Sequence, residues 1–286
     1  MSGYQLWILT ETGVHAGGDE AIGAVDEPIQ RDRITGYPVI HGQSLKGAER
    51  RRFTQSASDA LKDVYGSPPP GSAGQSQNPS QGWLDVGEAR LAAFPIPTLR
   101  MTFAWVTSPY ALARVARDAA IAGIADLPPA LSALEEGKCL TVPGSGWGAE
   151  LRLGDFRISS SDDPKVGAWA TSLAKRLPRS HIYLRTKMTT DLVVVADAIL
   201  GDLAAQFTEL AARVQLEPDQ KTVKHGPFFS EYLPSATLLA AYHGARTTDT
   251  AARAEWTKAF DDAVWTIGGD ESVGKGIVSS TVLAPA

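Results

Sequence analysis

Asp26-Glu27-Pro28 sets a carboxylate in a loop. It is ionised at neutral pH, so it can accept a proton weakly or hold a hard cation such as magnesium. A solvated loop acid is the other reading of the same residues. A short way downstream, Gly42-Gln43-Ser44-Leu45-Lys46-Gly47 joins glycine, hydroxyl and lysine at the start of a helix. Free backbone N–H groups and the helix dipole favour phosphate there. From Arg31 to Arg52 there are six basic residues against two acidic ones, a local +4 in a chain of net charge −5. That contrast points to one polyanion-facing side rather than general stickiness. Arg50-Arg51-Arg52 points in three directions on a helix, so at most two of them can face one ligand. If about four phosphates of a single strand were neutralised here, log K would fall with log salt at a slope near −3.

Other candidates are weaker. His15 lies between a strand and Gly17-Gly18, where a contact to phosphate or base competes with a structural hydrogen bond. The glycines let backbone approach a ligand, or simply let the loop turn. The five histidines (His15, His41, His181, His225 and His243) show no metal-ligand spacing. No G-x-S-x-G elbow supports acyl transfer, and the lone Cys139 excludes a disulfide framework or a Cys-rich zinc site. Gly269-Asp-Glu-Ser-Val-Gly274-Lys275-Gly276 nearly spells a phosphate-binding P-loop. Gly276, however, lacks the hydroxyl that holds magnesium, and a helix is expected before the motif and a strand after it, the reverse of a P-loop. A backbone nest for phosphate oxygens and a plain turn both remain open.

The elements that position these residues follow from periodicity. Tyr4–Thr10 reads as a strand. A helix from Ser44 carries Leu45, Ala48, Phe53, Ala57 and Leu61 at helical spacing and ends at Tyr65-Gly66. Gly82–Val86 reads as an edge strand, and Leu99–Val106 alternates as a strand. Ser108-Pro109 then supplies a helix cap and a first-turn proline. Further on, helices are expected over Leu127–Gly137, Lys165–Leu177, Ile199–Val214 and Thr250–Trp265. Strands are expected over Glu150–Ile158, Leu192–Val195, Thr237–Tyr242 and Ile277–Leu283. Strands and helices interleave without the rhythm of a doubly wound sheet, which gives α+β with ferredoxin-like β-α-β units. Ser67–Gln81, rich in Pro, Gly, Ser and Gln, is expected to be a disordered insertion. At 286 residues and 43% hydrophobic content the chain suits one large domain or two small ones. With no secretory apolar stretch and no membrane-length run, it reads as soluble and cytoplasmic.

Asp26–Ile29, Arg31, Thr35–Pro38 and Gly42–Ala48 together resemble the N-terminal signature of the RAMP superfamily of CRISPR RNA-binding proteins. The chain is most similar to the repeated backbone subunit of the type III-B (Cmr) effector complex. Phe103–Tyr110, then Lys221–Lys224 with Glu231–Pro234, and finally Ile267–Ile277 resemble later family segments in order. The resemblance implies a single RRM-like palm over residues 1–286 with inserted thumb elements. It implies copies stacked head to tail along CRISPR guide RNA, beside other Cmr subunits and away from any membrane. Complementary target RNA, in antiviral defence, would be the substrate.

Asp26 matches the family's loop carboxylate, required for cutting target RNA with a divalent metal, magnesium or manganese. The cut is attack by a ribose 2′-OH on its neighbouring phosphate. His15, Gly17, Gly18, Arg31, Gly42, Ser44, Lys46, Arg50, Gly274, Lys275 and Gly276 are expected to contact RNA. Glu231 and Tyr232 lie near positions that approach the cut site. A doubled acid expected in relatives is replaced here by Ser230-Glu231, which speaks against Glu231 as catalytic. A purely structural guide-binding subunit, the type III-A (Csm) counterpart and a P-loop-like nucleotidase are the alternatives.

Overall fold

The computed structural model describes residues 2–18, 25–55, 61–67, 80–125, 127–217, 219 and 222–285. The chain begins with β1 (Ser2–Thr10), β2 (Val39–Ile40), α1 (Gly42–Gln55), α2 (Leu61–Tyr65), β3 (Leu84–Pro97), β4 (Phe103–Thr107) and α3 (Pro109–Ala122). It continues through β5 (Lys138–Thr141), β6 (Glu150–Leu153), β7 (Phe156–Asp162), α4 (Pro164–Ala174), α5 (Ile182–Asp191), β8 (Leu192–Val195) and α6 (Asp197–Gln206). Last come β9 (Glu209–Leu216), β10 (Val223–Tyr232), β11 (Leu238–Ala245), α7 (Thr250–Phe260), β12 (Ala263–Thr266) and β13 (Ile277–Leu283).

One large sheet runs β12-β13-β1-β11-β3-β4-β8-β5-β7-β6, with β2 added on β3, while β9 and β10 form a separate two-stranded hairpin. Within it, β13, β1, β11 and β3 are neighbours and pair antiparallel. Chain order β1-α1-β3-β11-α7-β13 with sheet order β13-β1-β11-β3 is the ferredoxin-like β-α-β-β-α-β unit. The residues between β3 and β11 are an insertion into that unit. The protein is therefore α+β, an RRM-like palm with elements inserted between its second and third strands.

β1 shows why the sheet needs helices on both faces. Leu6 and Ile8 pack into one core with Phe53, Trp256 and Phe260, whereas Trp7 and Leu9 pack into another with Leu112, Val115 and Trp169. Period-2 alternation sends neighbours to opposite faces, and here both faces are apolar. β8 is buried along its whole length and runs parallel to β4, so its Leu-Val-Val-Val has no polar face to show. α3 starts where Ser108 accepts the Ala111 N–H and Pro109 takes the first turn, and it ends at Gly123 with φ 83°. On α1, Leu45, Glu49 and Phe53 face the core. The buried Glu49 carboxylate meets His243 Nε2 at 2.7 Å and accepts the Tyr65 hydroxyl at 2.9 Å. Trp256 Nε1 donates to that hydroxyl at 3.1 Å, so the acid is satisfied where it would otherwise be very costly.

Several sequence expectations change. The helix expected from Ser44 to Tyr65 is two segments, α1 and α2, and residues 56–60 between them lie outside the described residues. Gly82–Val86 does not open an edge strand, because β3 sits between β11 and β4. The Leu99–Val106 alternation becomes a strand only from Phe103; residues 98–102 are a turn, with Met101 and Thr102 at φ 62° and 67°. No helix forms over Leu127–Gly137 among the described residues. The helix expected to reach Val214 stops at Gln206, and the one expected to reach Trp265 stops at Phe260. In both cases the remainder is recruited as a strand, by β10 and by β13. Most of the expected disordered insertion, residues 68–79, lies outside the described residues. Its ends meet, Ser67 N donating to the Ser80 carbonyl at 2.9 Å. Among the described residues no helix is long and apolar enough to cross a membrane.

Candidate functional site

β10 pairs with β9 on one side, and its other edge is covered by two short extended segments. Val14 bridges Leu233, and Glu27 bridges Ser230 in parallel. Asp26 and Glu27 both donate their N–H to the Phe229 carbonyl at 3.1 Å. The Asp26 carboxylate accepts the Phe229 N–H at 2.8 Å through Oδ2, while Oδ1 makes no hydrogen bond among the described residues. Asp26 is exposed. The loop acid expected from sequence is thus held at both backbone and side chain, with one oxygen left for a ligand. Its neighbour Glu27 accepts the Ser230 hydroxyl at 2.6 Å.

What holds this segment in place is Glu231, buried to 6% exposure. Its Oε2 accepts the Ile29 N–H at 3.0 Å, and its Oε1 accepts Thr208 Oγ1 at 2.7 Å and Arg31 Nη2 at 2.5 Å. Arg31 also donates to the carbonyls of Gly36 and Ala204. The Arg31 guanidinium is therefore built into the protein rather than offered to RNA. Glu231 is a pin whose oxygens are already engaged. Neither role was legible, because the two residues lie 200 apart in the chain.

His15 stands two residues along the same β10 edge. Its Nδ1 lies 2.8 Å from the Glu231 carbonyl, which can only accept, so Nδ1 carries a proton there and Nε2 is the ring nitrogen not used by this contact. The anchor points of His15 and Asp26 on β10 are two strand residues apart, about 7 Å. Next to His15 opens a cleft of about 400 Å³, lined by Gly17, Gln30, Ser44, Arg51 and Gly269 among others. A Cβ at Gly17 would come 3.1 Å from His15 Nε2, so glycine keeps that nitrogen approachable. α1 lines the cleft with Ser44, Gly47, Ala48 and Arg51, the i, i+3, i+4, i+7 face of a helix. Gln30 ties the walls together, donating to Gly17 O at 2.9 Å and to Ser44 Oγ at 3.0 Å.

The remaining expected contacts fall elsewhere. Asp26 is not part of the cleft lining. Gly18 is exposed, its N–H bonded to Pro28 O at 2.7 Å. Gly42 is needed for packing, since a Cβ there would come 2.8 Å from the Val86 carbonyl. Lys46 and Arg50 share the α1 face turned from the cleft, and Arg50 donates to the Gly66 carbonyl. Arg51, which donates to Thr266 Oγ1 at 2.9 Å and pairs with Glu271, is the arginine at the cleft. Its seven-residue spacing from Ser44 was the available signal.

In the Gly-rich loop the N–H groups of Gly274, Lys275 and Gly276 bond to the Glu271, Asp270 and Gly13 carbonyls, so these three are not free for phosphate. Lys275 donates to Glu209 at 2.7 Å and lies 4.5 Å from the Tyr232 ring centre. The loop joins β12 to β13, so a strand rather than the expected helix precedes it. Asp270 accepts Arg213 Nη1 at 2.7 Å and the Tyr232 hydroxyl at 2.8 Å. The Arg213 hydrogen bond holds its carboxyl below the usual range despite partial burial. Loop and hairpin are thereby fastened together.

Among the described residues no group of three or more His, Cys, Asp or Glu is placed to hold a metal ion. The exposed Asp26 offers a single carboxylate oxygen, and magnesium-type ions are held by one or two carboxylates together with water and substrate phosphates.

The candidate site is thus an exposed, pinned acid near a histidine and a Gly-lined cleft, carried on a ferredoxin-like palm with an inserted hairpin. The chain belongs to the RAMP superfamily, whose profile matches residues 7–279. It is 30% identical over 295 residues to the CRISPR system Cmr endoribonuclease Cmr4 of Pyrococcus furiosus, covering 99% of this chain and 96% of that one. It also superposes on the crystal structure of oligomeric Cmr4 from Pyrococcus furiosus with a TM-score of 0.77 at 27% identity, covering 99% of this chain and 98% of that one. A shorter likeness, 52% identity over 50 residues, links it to the Cms endoribonuclease Csm3 of Streptococcus thermophilus, over 16% of this chain and 23% of that protein.

Proposed function

We infer that this chain is the backbone subunit of a type III-B CRISPR effector complex: it binds guide RNA, stacks with its own copies and other Cmr subunits, and cuts complementary target RNA. The observation that carries this is Asp26, exposed and pinned to β10 two residues from His15, in a chain similar end to end to a Cmr endoribonuclease. The likeness to the Csm relative covers only a sixth of the chain, which favours the type III-B reading.

The nucleophile is the RNA's own 2′-OH. Its oxygen gives up its proton to water and bonds to the adjacent phosphorus as the bond to the 5′ oxygen breaks and that oxygen takes a proton from water, leaving a 2′,3′-cyclic phosphate and a 5′-OH. The protein's part is to hold three atoms in line, which favours the displacement strongly. Asp26 would hold the divalent ion, magnesium or manganese, which supplies charge stabilisation at the phosphate when bound. Its rail along β10 keeps the carboxylate from following the substrate as it moves. Ser44, Gly17 and His15 Nε2 would contact the RNA from the cleft, and Arg51 would do so by exchanging Glu271 for a phosphate.

The test is target cleavage by the reconstituted guide complex with Asp26→Ala, with RNA binding measured alongside. Loss of several regularly spaced products together, with binding kept, is expected. Equal cutting by both proteins would make the subunit a scaffold and overturn the assignment.

A further inference from the structure

We propose that Gln30 is a positioning residue: it fixes the Ser44 hydroxyl as a hydrogen-bond donor into the cleft, so that the group bound there is an acceptor, a phosphate oxygen of the RNA. This rests on the guide-binding reading and names the atom through which Ser44 would meet its ligand.

An amide side chain can be turned over with almost no change of shape, so its sense comes from its neighbours. Two neighbours fix it for Gln30. The His41 N–H can only donate, and it lies 2.7 Å from Oε1. The Gly17 carbonyl can only accept, and it lies 2.9 Å from Nε2. Turning the amide over would set two donors together at one end and two acceptors at the other. The second Nε2 proton goes to Ser44 Oγ at 3.0 Å. Both amide protons are then engaged, and Ser44 is the acceptor in this contact.

A serine hydroxyl has one proton and can accept as well as donate. With Gln30 donating to its oxygen, the Ser44 proton must leave in another direction, and it has no acceptor among the described residues. Ser44 lines the cleft of about 400 Å³ that Arg51 also lines. It stands in the first turn of α1, where the helix dipole favours negative charge. A hydroxyl that can only donate there suits an anionic oxygen, and a hydrogen bond to a charged acceptor is stronger than one between neutral groups.

Gln30 can impose this because its own backbone is held on both sides. Its N–H donates to the Ala16 carbonyl at 2.8 Å, and its carbonyl accepts the Val39 N–H at 3.0 Å. Its neighbours Ile29 and Arg31 both donate to the Glu231 carboxylate. Asp26 lies four residues earlier on the same held segment. One short stretch of chain thus presents the acid of the proposed cleavage and the amide that aims the cleft's hydroxyl.

The test is the affinity of the full chain for a single-stranded RNA of guide length, for the parent, Gln30→Met, Ser44→Ala and the double variant. Methionine has nearly the shape of glutamine and none of its hydrogen bonds. Each single variant is expected to bind about tenfold more weakly, and the double variant about tenfold in total, because both changes remove the same donor. Gln30→Glu gives a readout that merely tying the walls together would not move. Its ionised carboxyl would accept the Ser44 proton and withdraw it from the ligand, whereas the protonated form can donate again. Facing the Gly17 carbonyl and Ser44 Oγ favours that neutral form, so the deficit against the parent is expected to shrink as pH falls from 8 to 5. Recovery with pH in a single variant also shows that it folds. With Ser44→Ala in the background only charge repulsion is left, and the deficit at pH 8 is expected to be smaller. Ser44→Ala with parent affinity, a double variant about a hundredfold weaker, or a Gln30→Glu deficit indifferent to the Ser44 hydroxyl would each overturn the role of Gln30 and leave the guide-binding reading standing. A parent that binds no RNA would sink that reading and this assignment with it.

Discussion

Replacing Glu231 by alanine should release the rail that carries Asp26. In the folded chain its carboxylate receives three donors, Ile29 N, Thr208 Oγ1 and Arg31 Nη2, and its side chain is 8% exposed, so solvent screens little of the pairing. Hydrogen bonds to a charged group contribute roughly 1.5–3 kcal/mol each, and removing one partner of a buried pair costs about 3–5 kcal/mol. The three bonds share one carboxylate and do not add, so about 3 kcal/mol is the expected loss. This loss falls on residues 26–31, which keep the backbone bonds to Phe229, Glu231, Ala16, Gly18 and Val39, the Asp26 and Glu27 carboxylates on Phe229 and Ser230, and the side-chain bonds of Gln30 and Arg31. Hydrogen exchange at the Glu27, Ile29 and Gln30 amides should then speed up roughly a hundredfold. Target cleavage should fall while RNA binding is kept. Glu231→Gln keeps the shape and part of the acceptor capacity, so its effect should be intermediate in both readouts. Exchange in Glu231→Ala that matches the parent at those three amides would refute the argument, because the segment would then be held by its backbone alone.

Two further outcomes are expected. Asp270 is held below its usual pKa chiefly by the Arg213 hydrogen bond, so the stability it adds is complete above the unfolded value near 4 and is lost as pH falls through the lower folded value. Asp270→Asn should therefore lower stability at pH 6 by at most about 1 kcal/mol, given the exposure of the pair, with the difference from the parent shrinking below pH 4 in denaturant titrations. Cys139 is buried and its thiol is pushed up to about 12 by desolvation, so a thiol reagent at pH 8 should label it only as fast as the chain unfolds.

Much of this protein was already determined by local sequence. Ser108-Pro109 starts a helix because a hydroxyl cap and a fixed φ need no distant partner. Leu192–Val195 is a strand, as its apolar run demands, Ile277–Leu283 is a strand rich in β-branched residues, and Gly276 in place of Ser or Thr breaks the P-loop motif at its last position. The family signature singled out Asp26 and Ser44, both of which the fold sets in or beside the cleft region.

Other features waited on the tertiary structure. The stretch Ile199–Val214 carries helical spacing throughout, yet Glu209 onward is a strand because β10 arrives to pair with it. Which of three consecutive arginines reaches the cleft depends on how α1 is rotated. That rotation is set by burying Leu45, Glu49 and Phe53, and no hydropathy pattern would place a glutamate on the buried side. Glu49 lies there because His243 and Tyr65 meet it, as Arg31 faces inward because Glu231 does. A propensity or a cap acts within a few residues, so sequence carries it. The partner of a buried charge is chosen by the whole fold, and only the folded chain brings it within 3 Å.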